Sequence, residues 1–276
     1  MHSRLRTNRA GASLEHRTVE RMGFLVLAWL SSACEPELLV GTWACLPPDS
    51  DTANAGAPSE GKTVDIPWTT GFETGFCDYA RAAGFCYSAP EASYQIVDTP
   101  VRTGRRAAAF SVTSDPTRDG TQARCFLEGA LPDEAVYGAW FYLPALAENT
   151  GNWNLMHFQG GDVPVLHGLW DVSLGSADDG SLFLYVLDFL GGPIRVPDAA
   201  PQVPIESWFH VEFRLRRAAD ATGEVALYQD GALLLELTAL VTDDTDFGQW
   251  YVGNLADALT PADSTVYVDD VTVRAP

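Results

Sequence analysis

From Ser93 onward the chain runs in short stretches of alternating apolar and polar residues, each cut off by Gly, Pro, Asn or Asp. A period of two puts successive side chains on opposite faces of an extended strand. The run from Phe209 shows it most cleanly: Phe209, Val211, Phe213 and Leu215 fall on one face, and His210, Glu212, Arg214 and Arg216 on the other. Further runs cover 93–98, 107–113, 123–127, 137–143, 153–159, 169–174, 181–188, 224–229, 232–237 and 265–273. Asp230-Gly231 between two of them is a two-residue hairpin signal. No long stretch has helical periodicity, and Gly 24 and Pro 17 suit a chain with many turns. Strands at this spacing predict an all-β, two-sheet antiparallel sandwich.

The first 33 residues read differently. Five Arg precede Met22-Gly-Phe-Leu-Val-Leu-Ala-Trp-Leu30, which is followed by Ser31-Ser-Ala-Cys34. A basic stretch, a short apolar stretch and small residues are the parts of a secretory signal. The apolar stretch falls short of the ~20 residues that span a bilayer. Residues 1–33 are therefore expected to be a signal peptide. Ser32-Ala33-Cys34 resembles a bacterial lipobox, which makes Cys34 the expected lipidation site. Residues 34–66 follow as a tether, because 46–64 are small, polar and Pro-rich and cannot bury a core. The folded domain is expected over 67–276. Localisation is then the cell envelope or outside, with membrane contact only through the lipid, and the domain is expected to be a monomer.

Cysteine count agrees. With Cys34 lipidated, Cys45, Cys77, Cys86 and Cys125 remain, an even set in a compartment that permits disulfides. Cys77 and Cys86 can close a small loop and leave Cys45 for Cys125, but the sequence does not choose among pairings. Taking five Arg and two Glu of the leader from 17 basic and 37 acidic residues leaves 12 and 35, a net −23. Such a surface repels nucleic acid and anionic membranes.

Gly71-Phe-Glu-Thr-Gly75, then Trp208 to Phe213 with Gly223 to Gly231, then Val266-Tyr-Val-Asp-Asp-Val-Thr-Val273 together resemble concanavalin A-like jelly-roll domains of the lectin/glucanase superfamily. They are nearest to bacterial polysaccharide lyases of the heparin-lyase and glucuronan-lyase kind. The resemblance implies a structural Ca²⁺ held by Glu73 with Asp269 or Asp270. Carboxylates on neighbouring terminal strands supply the hard oxygen ligands calcium takes.

It also implies a carbohydrate site on a concave sheet, where aromatics stack on sugar rings and amides, acids and Arg bind hydroxyls. Trp140, Trp153, Asn154, Trp170, Glu212 and Trp250 are the binding candidates. β-Elimination needs a group to neutralise a uronate carboxylate, a base for the C5 proton and an acid for the leaving oxygen. His157 and Gln159, expected on one face with Leu155, supply base and neutraliser, with Tyr142 or Tyr185 as acid. His210 with Arg214 is a second set. The chain has neither the Glu-x-Asp-x-x-Glu run of a glycoside hydrolase of this superfamily nor a Gly-x-Ser-x-Gly elbow. The expected function is polysaccharide recognition by an exported lipoprotein. The alternative is a polysaccharide lyase, and a hydrolase comes third.

Overall fold

A computed structural model describes residues 65–276, apart from Ala83, Asp119, Val163, Pro164, Gly192, Pro193, Asp198, Ala199, Asp244 and Asp246. The expected leader, Cys34 and the 46–64 stretch lie outside the described residues. In chain order the elements are β1 (Trp68–Thr70), α1 (Cys77–Arg81), β2 (Gly84–Ser88), β3 (Ala92–Val97), β4 (Ala107–Thr113), β5 (Thr121–Gly129), β6 (Glu134–Tyr142), β7 (Glu148–Asn149) and β8 (Trp153–Asp162). Then come β9 (Val165–Ser176), β10 (Leu182–Asp188), β11 (Ile194–Arg195), β12 (Trp208–Arg216), β13 (Gly223–Gln229), β14 (Ala232–Leu240), β15 (Gly248–Ala256), β16 (Leu259–Thr260) and β17 (Asp263–Arg274).

The first sheet runs β14-β13-β12-β6-β17-β4-β3, with β1 also paired to β17. The second runs β11-β10-β9-β8-β15-β5-β2. All pairings are antiparallel among the described strands. The expected sandwich is therefore the fold, with the non-sequential strand order of a jelly roll. β12 buries Phe209, Val211, Phe213 and Leu215 and turns His210, Glu212 and Arg214 outward, as its alternation requires. Asp230 and Gly231 close the β13–β14 hairpin with φ of 51° and 79°, the left-handed backbone a two-residue turn needs.

The core lies between the sheets around Phe110, Phe141, Phe158, Phe209 and Phe213. Trp153, Trp170 and Trp250 belong to it as well, at 1%, 0% and 1% exposure, and this corrects their assignment to sugar binding. The Trp153 indole donates to Asn254 Oδ1 at 3.0 Å and the Trp170 indole to the Thr242 carbonyl at 2.7 Å, so each ring is fixed inside. Asn154 is also buried, its amide donating to the Met156 carbonyl at 2.7 Å. A register shift between Asn154 and Met156 explains the departure from simple alternation in β8. Leu155 and Met156 both join the core, while His157 turns the other way.

Cys86 is bonded to Cys125, its cross-strand partner in the β2–β5 ladder, instead of Cys77. The ladder register brings those two side chains together, and sequence proximity does not. Cys77 is disulfide-bonded as well.

Candidate functional site

The outward face of the second sheet carries an unusual set of side chains. In β5 the outward positions are Gln122, Arg124, Phe126 and Glu128; in β15 they are Gln249 and Tyr251; in β8, His157 and Gln159. Register sets these strands side by side. Tyr251 lies between Phe126 and His157, and Gln249 between Glu128 and Gln159. On the far side of His157 stands Asp171 of β9, its direct cross-strand partner.

His157 Nδ1 is hydrogen-bonded to Asp171 Oδ1, and Asp171 is 2% exposed. A carboxylate only accepts, so Nδ1 donates in this bond, and Nε2 is the ring nitrogen left for other partners. The His157 ring lies 5.4 Å from that of Tyr251, centroid to centroid. The Tyr251 hydroxyl donates to Gln249 Oε1, and Gln249 Nε2 donates to Glu128 Oε2 at 2.8 Å. Burial pushes the Tyr251 phenol well up, against the opposing Arg124 charge, so it holds its proton at neutral pH. Tyr185 of β10 lies on the same face, opposite Ser173 in the ladder, and burial raises its phenol too.

Arg124 is 4% exposed and sits with its guanidinium 4.5 Å over the Tyr251 ring. One nitrogen meets Gln122 Oε1, and the same nitrogen lies 3.4 Å from the Tyr87 hydroxyl. Nε and Nη1 are buried with no hydrogen-bond partner. Gly253, paired with Arg124, makes room for this: it has φ 149°, and a side chain there would stand 3.1 Å from Arg124 Cγ and 2.5 Å from the Ala123 carbonyl. A buried cation with unpaired N–H groups is costly in a resting protein.

Of the residues singled out from sequence, His157, Gln159 and Tyr185 meet on this face. Tyr142, Trp140, His210, Glu212 and Arg214 do not: they lie on the outward side of the first sheet, across the core. There Trp140 stacks on His210 at 4.8 Å, and Arg102 covers Trp140 at 3.6 Å. Arg214 is tied to Glu134, and Glu212 to Arg274 at 2.6 Å. Arg124, Asp171 and Tyr251 were not singled out. The signals were an Arg inside the apolar run Ala123-Arg-Cys-Phe-Leu127 and alternation placing Tyr251 with Gln249.

Glu73, Asp269 and Asp270 come together with the 102–106 loop. Glu73 Oε1 accepts the Arg105 and Arg106 N–H groups at 2.6 and 3.0 Å. Asp269 accepts the Arg102, Thr103 and Asp270 N–H groups at 2.9, 3.2 and 2.8 Å. Asp270 holds the Arg102 guanidinium at 2.6 Å. These donors already serve the carboxylates, which staple the loop to the chain ends; their arrangement fits N–H donors better than a calcium ion. Among the described residues no three His, Cys, Asp or Glu side chains are arranged to hold a metal.

No family model matches the chain, and no curated protein matches it in sequence. Solved structures do match in fold. An endo-β-1,4-glucuronan lyase from the fungus Trichoderma reesei aligns with TM-score 0.54 and 18% identity, over 70% of this chain and 90% of that one. The cellulose-induced protein Cip1 aligns with TM-score 0.52 and 13% identity, over 75% and 97%. At these identities the likeness is one of fold: the chain is a jelly roll of the kind found in polysaccharide lyases.

Proposed function

We propose that this domain is a polysaccharide lyase that cleaves a uronate-containing glycan by β-elimination. One observation carries the reading: Arg124, the His157–Asp171 pair and Tyr251 converge on one sheet face. Arg124 supplies the positive charge that faces the uronate carboxylate and stabilises the charge that develops when C5 loses its proton. His157 Nε2, oriented by Asp171, takes that proton. The C5–H electron pair becomes the C4=C5 bond as the C4–O4 bond breaks. Tyr251, which stays protonated, gives its proton to O4. Gln159 is placed to bind a hydroxyl, Gln249 holds the Tyr251 hydroxyl, and Tyr185 is a second phenol on the same face.

Elimination is favoured over recognition alone because simple binding does not call for a His–Asp pair or a buried, incompletely bonded Arg. Export remains part of the proposal, and the disulfide between Cys86 and Cys125 accords with it. The test is ultraviolet absorbance of the new unsaturated uronate on a panel of uronate glycans. His157→Ala is expected to abolish the signal. Glycan binding without absorbance on any member would reject the lyase and return recognition as the function.

A further inference from the structure

The site face carries very little positive charge for a protein expected to bind a polyanion. Among the described residues its strands place one Arg there, Arg124, and no Lys. The residues left undescribed within 65–276 include neither Lys nor Arg. Arg195 of β11, at the sheet's edge, turns to the buried Asp188 carboxylate at 3.7 Å, and Arg81 pairs with Asp78 at 3.3 Å. Glu128 and Asp171 lie on the same face, so its fixed charge does not attract a second carboxylate.

What flanks Arg124 is apolar. A row of rings crosses the sheet from Phe85 to Phe126 at 4.2 Å, Phe126 to Tyr251 at 4.9 Å, Tyr251 to His157 at 5.4 Å and His157 to Phe189 at 6.2 Å. The two ends are open: Phe85 is 53% exposed, Phe189 48% and the neighbouring Ile194 55%. Exposed aromatic faces suit the C–H face of an uncharged sugar and offer a carboxylate no counter-charge.

Resting on the lyase reading, we propose that the substrate is a heteropolysaccharide in which neutral sugars separate the uronates. One uronate occupies the Arg124–His157 position while neutral residues lie on Phe85 and on Phe189 with Ile194. A homopolyuronate would place further carboxylates against these rings and near Glu128 and Asp171.

The experiment compares initial elimination rates on two kinds of polymer at equal ionic strength. Hyaluronan and deacylated gellan space glucuronate with neutral sugars; glucuronan and alginate are uronate throughout. A kcat/KM at least about tenfold higher on a spaced polymer is expected, since uncompensated like charge is strongly selected against. Phe85→Ala should raise KM on that polymer several-fold. Equal or faster cleavage of the homopolyuronates overturns the inference and leaves the lyase standing, as does an unchanged KM in Phe85→Ala for the flanking position. No new double bond on any of the four overturns the lyase reading itself.

Discussion

Replacing Arg124 by Met is expected to stabilise the fold while removing activity. Met keeps much of the aliphatic stem and drops the guanidinium. Two nitrogens, Nε and Nη1, are buried without partners. Each such group costs about 1–3 kcal/mol, so their removal returns about 4 kcal/mol. Against this stands the loss of the cation–π contact over Tyr251, about 1 kcal/mol, and of the charged hydrogen bond to Gln122, about 2 kcal/mol. Gln122 is not orphaned, because the Tyr87 hydroxyl still donates to it at 2.9 Å. The balance is about +1 kcal/mol, or a Tm rise of about 2–4 °C for a domain of this size. Elimination should fall by at least about a hundredfold, as for loss of one oxyanion-stabilising donor. Differential scanning calorimetry beside the absorbance assay reads both. A Tm that drops by several degrees would show that Arg124 is held for structure, and would refute the argument that the domain sacrifices stability for a waiting anion site.

Asp171→Asn can donate to His157 Nδ1 and so move the ring proton to Nε2; kcat is expected to fall at least about a hundredfold with KM little changed, and an unaltered kcat would remove Asp171 from the positioning of the base. Phe213→Ala empties a site packed against Phe158 and Trp170 at 5.1 and 6.2 Å, and should cost about 3–5 kcal/mol by chemical denaturation. Burial lowers the His210 imidazole below its ordinary value despite the opposing Glu212 and Asp230 charges, with Arg102 and Arg274 acting in the same direction as burial. Below that ordinary value, near 6.5, the unfolded state binds the proton more readily. The contribution of His210 to stability is therefore lost as pH falls from about 7 to 5, and His210→Gln should flatten that part of the Tm–pH curve; an unchanged slope would contradict this. Glu73→Gln weakens the acceptor for the Arg105 and Arg106 N–H groups and should lower Tm, whereas chelator alone should leave Tm unchanged; a chelator-induced drop would instead establish the calcium expected from the family resemblance.

The amino-acid sequence by itself determined most of the long strands and their alternation, but no run was read over β2 or over β15, which carries Tyr251. Alternation is a local property, and the period of two in 209–216 or the Asp230-Gly231 turn needs no distant partner to be read. It also brought forward His157 and Gln159, polar residues flanking Phe158 in the 153–159 run. It did not determine which face of a run becomes core when both carry large side chains. Trp250 and Tyr251 are neighbours with similar apolar area, and only the second sheet's packing over Tyr137 of the first, with Phe158 beside it on β8, sends the indole inside and the phenol out. Nor did it determine which strands adjoin. Arg124, His157 and Tyr251 stand far apart in the chain and meet because β5, β15 and β8 are consecutive in the sheet. The same ordering separates Tyr142 and His210 from them by the thickness of the core. Strand order is set by burying the whole apolar surface at once, a global balance that no single segment records.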